Sequence, residues 1–95
     1  MTTKQKIELL RMDLQNPPAA KDQYLEHLLD KAAQLMAREG IKLQDTAEDD
    51  GLQIDYAAYL YRKRANDDNK MPRMLRWALN NRLFGKKEGA GCDRR

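Results

Sequence analysis

The stretch Leu52-Gln53-Ile54-Asp55-Tyr56-Ala57-Ala58-Tyr59-Leu60-Tyr61-Arg62-Lys63-Arg64 decides how this chain folds. At 3.6 residues per turn, Leu52, Tyr56, Tyr59 and Leu60 form one apolar stripe, and Ile54, Ala58 and Tyr61 form a second on the other side. A helix that is apolar on two sides must be covered on two sides. The stretch reads as the central helix of a small bundle, with polar relief along Asp55 and Arg62 and along Gln53 and Arg64. The rest of the chain reads as its cover.

Composition supports an all-α class. Across 95 residues there is no Val and no Ser, and the β-branched residues are Thr2, Thr3, Ile7, Ile41, Thr46 and Ile54. Strands favour β-branched and aromatic residues, whereas Ala, Leu, Met, Lys, Gln, Glu and Arg favour helices. A chain of this size buries only roughly 60–65% of its unfolded surface, so a partner or an oligomer would add stability. One domain is expected over residues 1–85, followed by a flexible tail over 86–95.

Working outward, Thr2 with Gln5 has the spacing of a capping box, which predicts a first helix from about Thr3 to Leu14. Its stripe of Ile7, Leu10 and Leu14 is narrow and suits packing against a neighbour rather than a full core. Asn16-Pro17-Pro18 ends it, because proline disfavours helical geometry in the residue before it. A second helix is expected from Asp22 to Glu39. Tyr24, Leu25, Leu28, Leu29, Ala32, Leu35 and Met36 fall on one face, with Gly40 and Ile41 completing a Schellman ending. Asp45 or Thr46 caps the central helix, and Glu48, Asp49 and Asp50 complement its dipole. The segment after Arg64 is a polar turn. Pro72 then opens a last helix to Phe84, with Gly85 as its stop.

No 18-residue apolar run and no cationic start leading into an apolar stretch are present, so neither a membrane span nor a signal peptide is expected. The lone Cys92 cannot form an internal disulfide, which fits a reducing compartment. Without Ser, and with a single His far from the single Cys, no nucleophilic triad is expected. His27, with Asp30 one turn on, reads as a solvated surface residue rather than as part of a metal site, which needs three or four ligands. Asp45, Asp49 and Asp50 depart from a calcium loop at Ala47, Asp50 and Tyr56. The carboxylates read as solvated clusters. No enzyme, cofactor or metal is expected.

Charge is unevenly spread. Residues 1–60 carry seven Lys/Arg against eleven Asp/Glu, a net −4, and residues 61–95 carry eleven against four, a net +7. Opposite ends of this kind attract a second copy head to tail or present the basic end to nucleic acid. Arg62, Lys63, Arg64, Lys70, Arg73 and Arg76 concentrate at that basic end, either as a solvated face or as a surface that attracts phosphates. Arg73 and Arg76 sit in the first turns of the last helix, where the dipole disfavours cations. On that helix Met71, Leu75, Ala78 and Leu79 face one way, while Arg73, Trp77, Asn80 and Phe84 face the other. Trp77 either covers its own helix or anchors another subunit; with the surplus stripes, this nominates Ile54, Tyr61, Trp77 and Phe84 as interface residues.

The order of pieces resembles the small helical head-to-tail connector (adaptor) proteins of long-tailed bacteriophages. The features are the opening Lys4–Leu14 helix, the Asp22-x-Tyr-Leu-x-x-Leu-Leu-Asp-x-Ala-Ala-x-x-x-Met helix ending at Gly40, and the acidic lead-in Glu48-Asp49-Asp50. They continue with Ala57-Ala58-Tyr59-Leu60-Tyr61-Arg62-Lys63-Arg64 and the closing Met71–Leu83 segment. The resemblance spans about residues 3–84. The long last helix and the Gly/Lys tail depart from it. It implies a non-enzymatic ring of roughly twelve copies within the virion, made in the bacterial cytoplasm. Such a ring binds the portal protein and a downstream tail-completion or stopper protein, and surrounds the DNA passage. The other reading of the residues is a small basic helical nucleic-acid-binding regulator whose last helix enters a groove.

Overall fold

Ala57 and Ala58 have almost no exposed surface, and these small side chains let neighbouring helices approach the central helix closely. In the computed structural model, which describes residues 1–18, 20–65 and 70–87 (backbone alone at 65 and 85–87), four helices form. They are α1 (Thr3–Asp13), α2 (Asp22–Arg38), α3 (Ala47–Ala65) and α4 (Arg73–Lys87). No strand occurs among the described residues. The chain is an all-α bundle, and α3 packs against α1, α2 and α4.

Local sequence sets the helix ends. The α1 capping box is complete, with the Gln5 amide donating to Thr2 Oγ1 at 3.2 Å and the Thr2 amide donating to Gln5 Oε1 at 2.9 Å. At its far end the Asn16 amide reaches the Arg11 carbonyl at 2.8 Å and the Gln15 amide reaches the Met12 carbonyl, with Gln15 and Asn16 both at positive φ. That is a Schellman ending made without glycine. The expected Schellman ending of α2 forms as well. Gly40 has φ +96°, and the Ile41 amide donates to the Met36 carbonyl at 3.0 Å. Thr46 caps α3 by accepting from the Asp49 amide at 3.2 Å.

The C-terminal end of α4 differs from expectation. Helix α4 begins after Pro72, whose carbonyl accepts from the Arg76 amide, and it continues through Gly85 to Lys87. A single glycine costs a helix only about 1 kcal/mol and need not stop it. The polar turn falls on residues 66–69, outside the described residues, and so does the expected tail from residue 88 onward with Cys92.

Side-chain pairs give the helix directions. Lys6 lies beside Asp50 and Arg62 beside Asp13, so α1 runs parallel to α3. Tyr24 meets Tyr61 and Leu29 meets Gln53, so α2 runs antiparallel. Arg82 reaches Asp49 while Pro72 and Leu75 lie near Tyr59 and Arg62, so α4 returns antiparallel as well.

One core joins all four helices through Ile7, Leu10, Leu25, Leu29, Met36, Ile54, Ala57, Leu75 and Leu79, with Ile41 from the α2–α3 connection. The Ile7–Leu10–Leu14 stripe therefore serves the chain's own core rather than a neighbour, because α1 lies against both α2 and α3. Gln53 is also buried rather than part of a polar relief. Its amide donates to the Leu29 carbonyl at 2.9 Å and its Oε1 accepts from Lys6 Nζ at 2.7 Å. Both of its polar ends are satisfied, as burial requires. No helix among the described residues is long and apolar enough to cross a membrane.

Candidate interaction surface

Helix α4 divides into two faces. Leu75 and Leu79 are buried on α3, flanked by half-buried Met71, Ala78 and Leu83. Arg73, Met74, Trp77, Asn80 and Phe84 lie on the opposite face, and all are exposed. Met74 is 75% exposed, Trp77 63% and Phe84 55%. Spacings of three and seven residues put these three apolar side chains along one stripe. A shallow hollow of about 500 Å³ lies among Arg73, Met74, Arg76, Trp77 and Asn80. Trp77 thus does not cover its own bundle. Large apolar side chains gathered on one exposed face mark an interaction surface more often than a scattered single one does.

This face is held in place by polar clamps at the base of α4. Arg82 donates through Nε to Asp49 Oδ1 at 2.6 Å, through Nη2 to Asp49 Oδ2 at 2.9 Å, and through Nη2 to the Lys42 carbonyl at 3.0 Å. Asp49 is only 2% exposed and also accepts from the Gln44 amide at 2.6 Å. The hydrogen bonds that Arg82 donates to the Asp49 carboxylate raise its pKa further, so the guanidinium stays charged. Arg76 pairs with Glu39 at 3.0 Å, and Leu83 packs beside Gly40. The link to α2 therefore runs through its C-terminal turn and the connection after it.

The carboxylates at the start of α3 correct the expectation of solvated clusters. Asp49 and Asp50 are buried, Asp49 by its fork to Arg82 and Asp50 beside Lys6 at 3.4 Å. The sequence showed only acids at a helix start. The missing signal was the partner cation, Arg82, which the fold brings back from 33 residues away.

The six basic residues do not form one uniform surface. Arg62 donates to Asp13 Oδ2 at 3.4 Å and to the Asp13 carbonyl at 3.2 Å. Lys63 lies 6.0 Å from the Tyr59 ring centroid and Arg64 lies 5.1 Å from that of Tyr24. Arg76 is paired with Glu39. Lys70 and Arg73 are exposed, and Arg73 borders the Trp77 hollow.

Of the four nominated interface residues, Trp77 and Phe84 are exposed and Ile54 and Tyr61 belong to the bundle. Ile54 is 7% exposed in the chain's own core. Tyr61 is half-buried, with its ring tilted against Tyr24 at 6.1 Å. Their stripe is covered intramolecularly because α1 and α2 occupy the sides of α3 that α4 leaves open.

A second group of exposed apolar residues lies on the N-terminal side of the bundle: Leu9 at 41% and Met12 at 66%, beside Met1 at 44%. They border a groove of about 690 Å³ between α1 and the start of α3. The signal for Leu9 and Met12 was a second, off-stripe apolar pair three residues apart on α1. His27 is exposed, and no group of metal-ligating side chains occurs among the described residues. Comparison with known proteins finds no matching family, no matching curated protein and no matching solved structure.

Proposed function

We propose that the chain is a structural adaptor of a long-tailed bacteriophage virion, working as a ring of copies between the portal protein and a tail-completion or stopper protein. One observation carries the reading. The outer face of α4 presents Met74, Trp77 and Phe84 to solvent, although the opposite face of the same helix already supplies Leu75 and Leu79 to the core. A lone bundle gains nothing from that stripe, whereas burial against a neighbour removes apolar surface from water at about 25 cal/mol per Å². Trp with adjacent Arg is also the composition of interface hot spots. The uneven charge along the chain supports contacts between unlike surfaces, and such heterologous contacts close into rings. The sequence resemblance supplies the portal and tail as partners.

Exposed Lys70 and Arg73 suit transient contact with passing DNA, while Arg62 and Arg76 are engaged with acids of the same chain. The test is light scattering and negative-stain imaging over a concentration series, with and without a portal protein from the same genome. Rings seated on the portal are expected. A chain that stays monomeric with its portal present overturns the reading. Tight, sequence-selective duplex binding by a monomer or dimer, persisting at raised salt, favours a nucleic-acid-binding regulator instead.

A further inference from the structure

Two exposed apolar surfaces of this molecule differ in the sign of the charge around them. On α4, Met74, Trp77 and Phe84 are accompanied by Arg73. On α1, Leu9 and Met12 border a groove with Glu8, Asp45 and Ala47 on its walls. Glu48 is exposed on the next residue of α3. Lys6 turns inward onto Gln53 and Asp50, and the Met1 ammonium, which also lines the groove, offsets part of the acidic charge of Asp45 and Asp50, so that carboxylates still outnumber cations among the groove's lining residues. Asp45 stands 88% exposed, 3.4 Å from the Met1 amino nitrogen. The residues bordering the groove and those bordering the α4 hollow do not overlap.

From this pairing we infer that the occupant of the α1 groove is the α4 ridge of a second copy of the same chain. Trp77 and Met74 of one copy pack on Leu9 and Met12 of the next, and Arg73 of the ridge faces Glu8 of the groove. Unlike apolar surfaces with opposite rims favour this register, and like rims disfavour ridge on ridge or groove on groove. Because ridge and groove are separate surfaces, the contact is heterologous, and each copy keeps one free site for the next. The inference gives the self-association within the adaptor reading a specific pair of surfaces. It rests on that reading for its biological setting alone.

The test uses the full chain without portal, in a Cys92→Ser background. Ala47→Cys marks the groove and Asn80→Cys marks the ridge, leaving Leu9, Met12 and Trp77 in place. Copies carrying one or the other are mixed at high concentration with a short bifunctional thiol reagent. The ridge–groove mixture should give roughly tenfold more cross-linked dimer than a mixture of Asn80→Cys with His27→Cys on α2, as expected for contact between two distinct surfaces. Equal yields, or no dimer from either mixture, overturn the inference. As a second arm, Glu8→Lys and Arg73→Glu each lower the yield, and the two changes combined in one chain restore it. Failure of that rescue also overturns the inference. Portal-seated rings that form normally with Glu8→Lys would refute this pairing and leave the adaptor reading standing. Ridge–groove dimers with no affinity for the portal would do the reverse.

Discussion

Arg82 of α4 forks onto both carboxylate oxygens of Asp49 at the first turn of α3, at 2.6 and 2.9 Å, across 33 residues of sequence. Through this contact the exposed face of α4 acquires a defined orientation, since the remaining packing of the helix rests mainly on Leu75 and Leu79. Removing one member leaves the other charged in a nearly dry site. Asp49→Ala and Arg82→Leu should each lower unfolding free energy by about 3 kcal/mol, as broken buried pairs do. The double variant should cost clearly less than the sum, because the second change removes a group that has already lost its opposite charge. Urea denaturation of the four proteins measures both effects.

Two glycines in helical contexts should respond oppositely to alanine. Gly40 has φ +96°, and an added Cβ would sit 3.2 Å from Leu83 Cδ1. Gly40→Ala should destabilise by about 1–2 kcal/mol, from the left-handed backbone alone, with the crowding adding to it. Gly51 lies inside α3, and an added Cβ meets nothing within 4 Å. Gly51→Ala should stabilise by about 0.5–1 kcal/mol through lost unfolded-state freedom. Thermal or denaturant melts of the pair decide both signs.

Most of the bundle was legible because helix faces and ends are local. The Thr2/Gln5 box, the Gly40–Ile41 ending and the Thr46 cap each depend on residues within five positions. The two faces of α4 also followed from periodicity alone. What periodicity does not contain is the identity of the cover. Ile54 and Tyr61 read as surplus because their stripe was visible but α1 and α2, which close over it, were not yet placed. Asp49 and Gln53 read as solvated because their partners, Arg82 and the Leu29 carbonyl, arrive only through tertiary packing.

The exposed ridge separates folding from assembly. Trp77→Ala and Phe84→Ala remove side chains that lie mostly in solvent in the single chain. Their effect on unfolding free energy should stay within about 0.5 kcal/mol, the usual range for surface substitutions. Self-association and portal binding should fall sharply in the same variants. A large loss of stability by circular dichroism melts would mean that the ridge serves the isolated fold.

Asp55 gives a pH dependence of defined sign. Desolvation raises its pKa above the ordinary carboxylate value, nearby Asp13 adds to the rise, and Arg62 opposes it. An acid with a raised folded pKa favours the fold while protonated. That contribution is complete below the unfolded pKa and is lost as pH rises through the folded one. Asp55→Asn should therefore be slightly more stable than wild type at neutral pH. The two curves should converge on acidification below the carboxylate range. Denaturant midpoints measured across pH 3–8, the span that brackets carboxylate titration, test this.

Imaging the assembled particle by cryo-electron microscopy bears most directly on whether this chain acts as one of many copies. Density for a closed ring is predicted, with Trp77 and Phe84 of every copy covered by a neighbouring subunit. A particle in which that flank of α4 faces solvent in each copy, or which contains no such ring, would contradict the account.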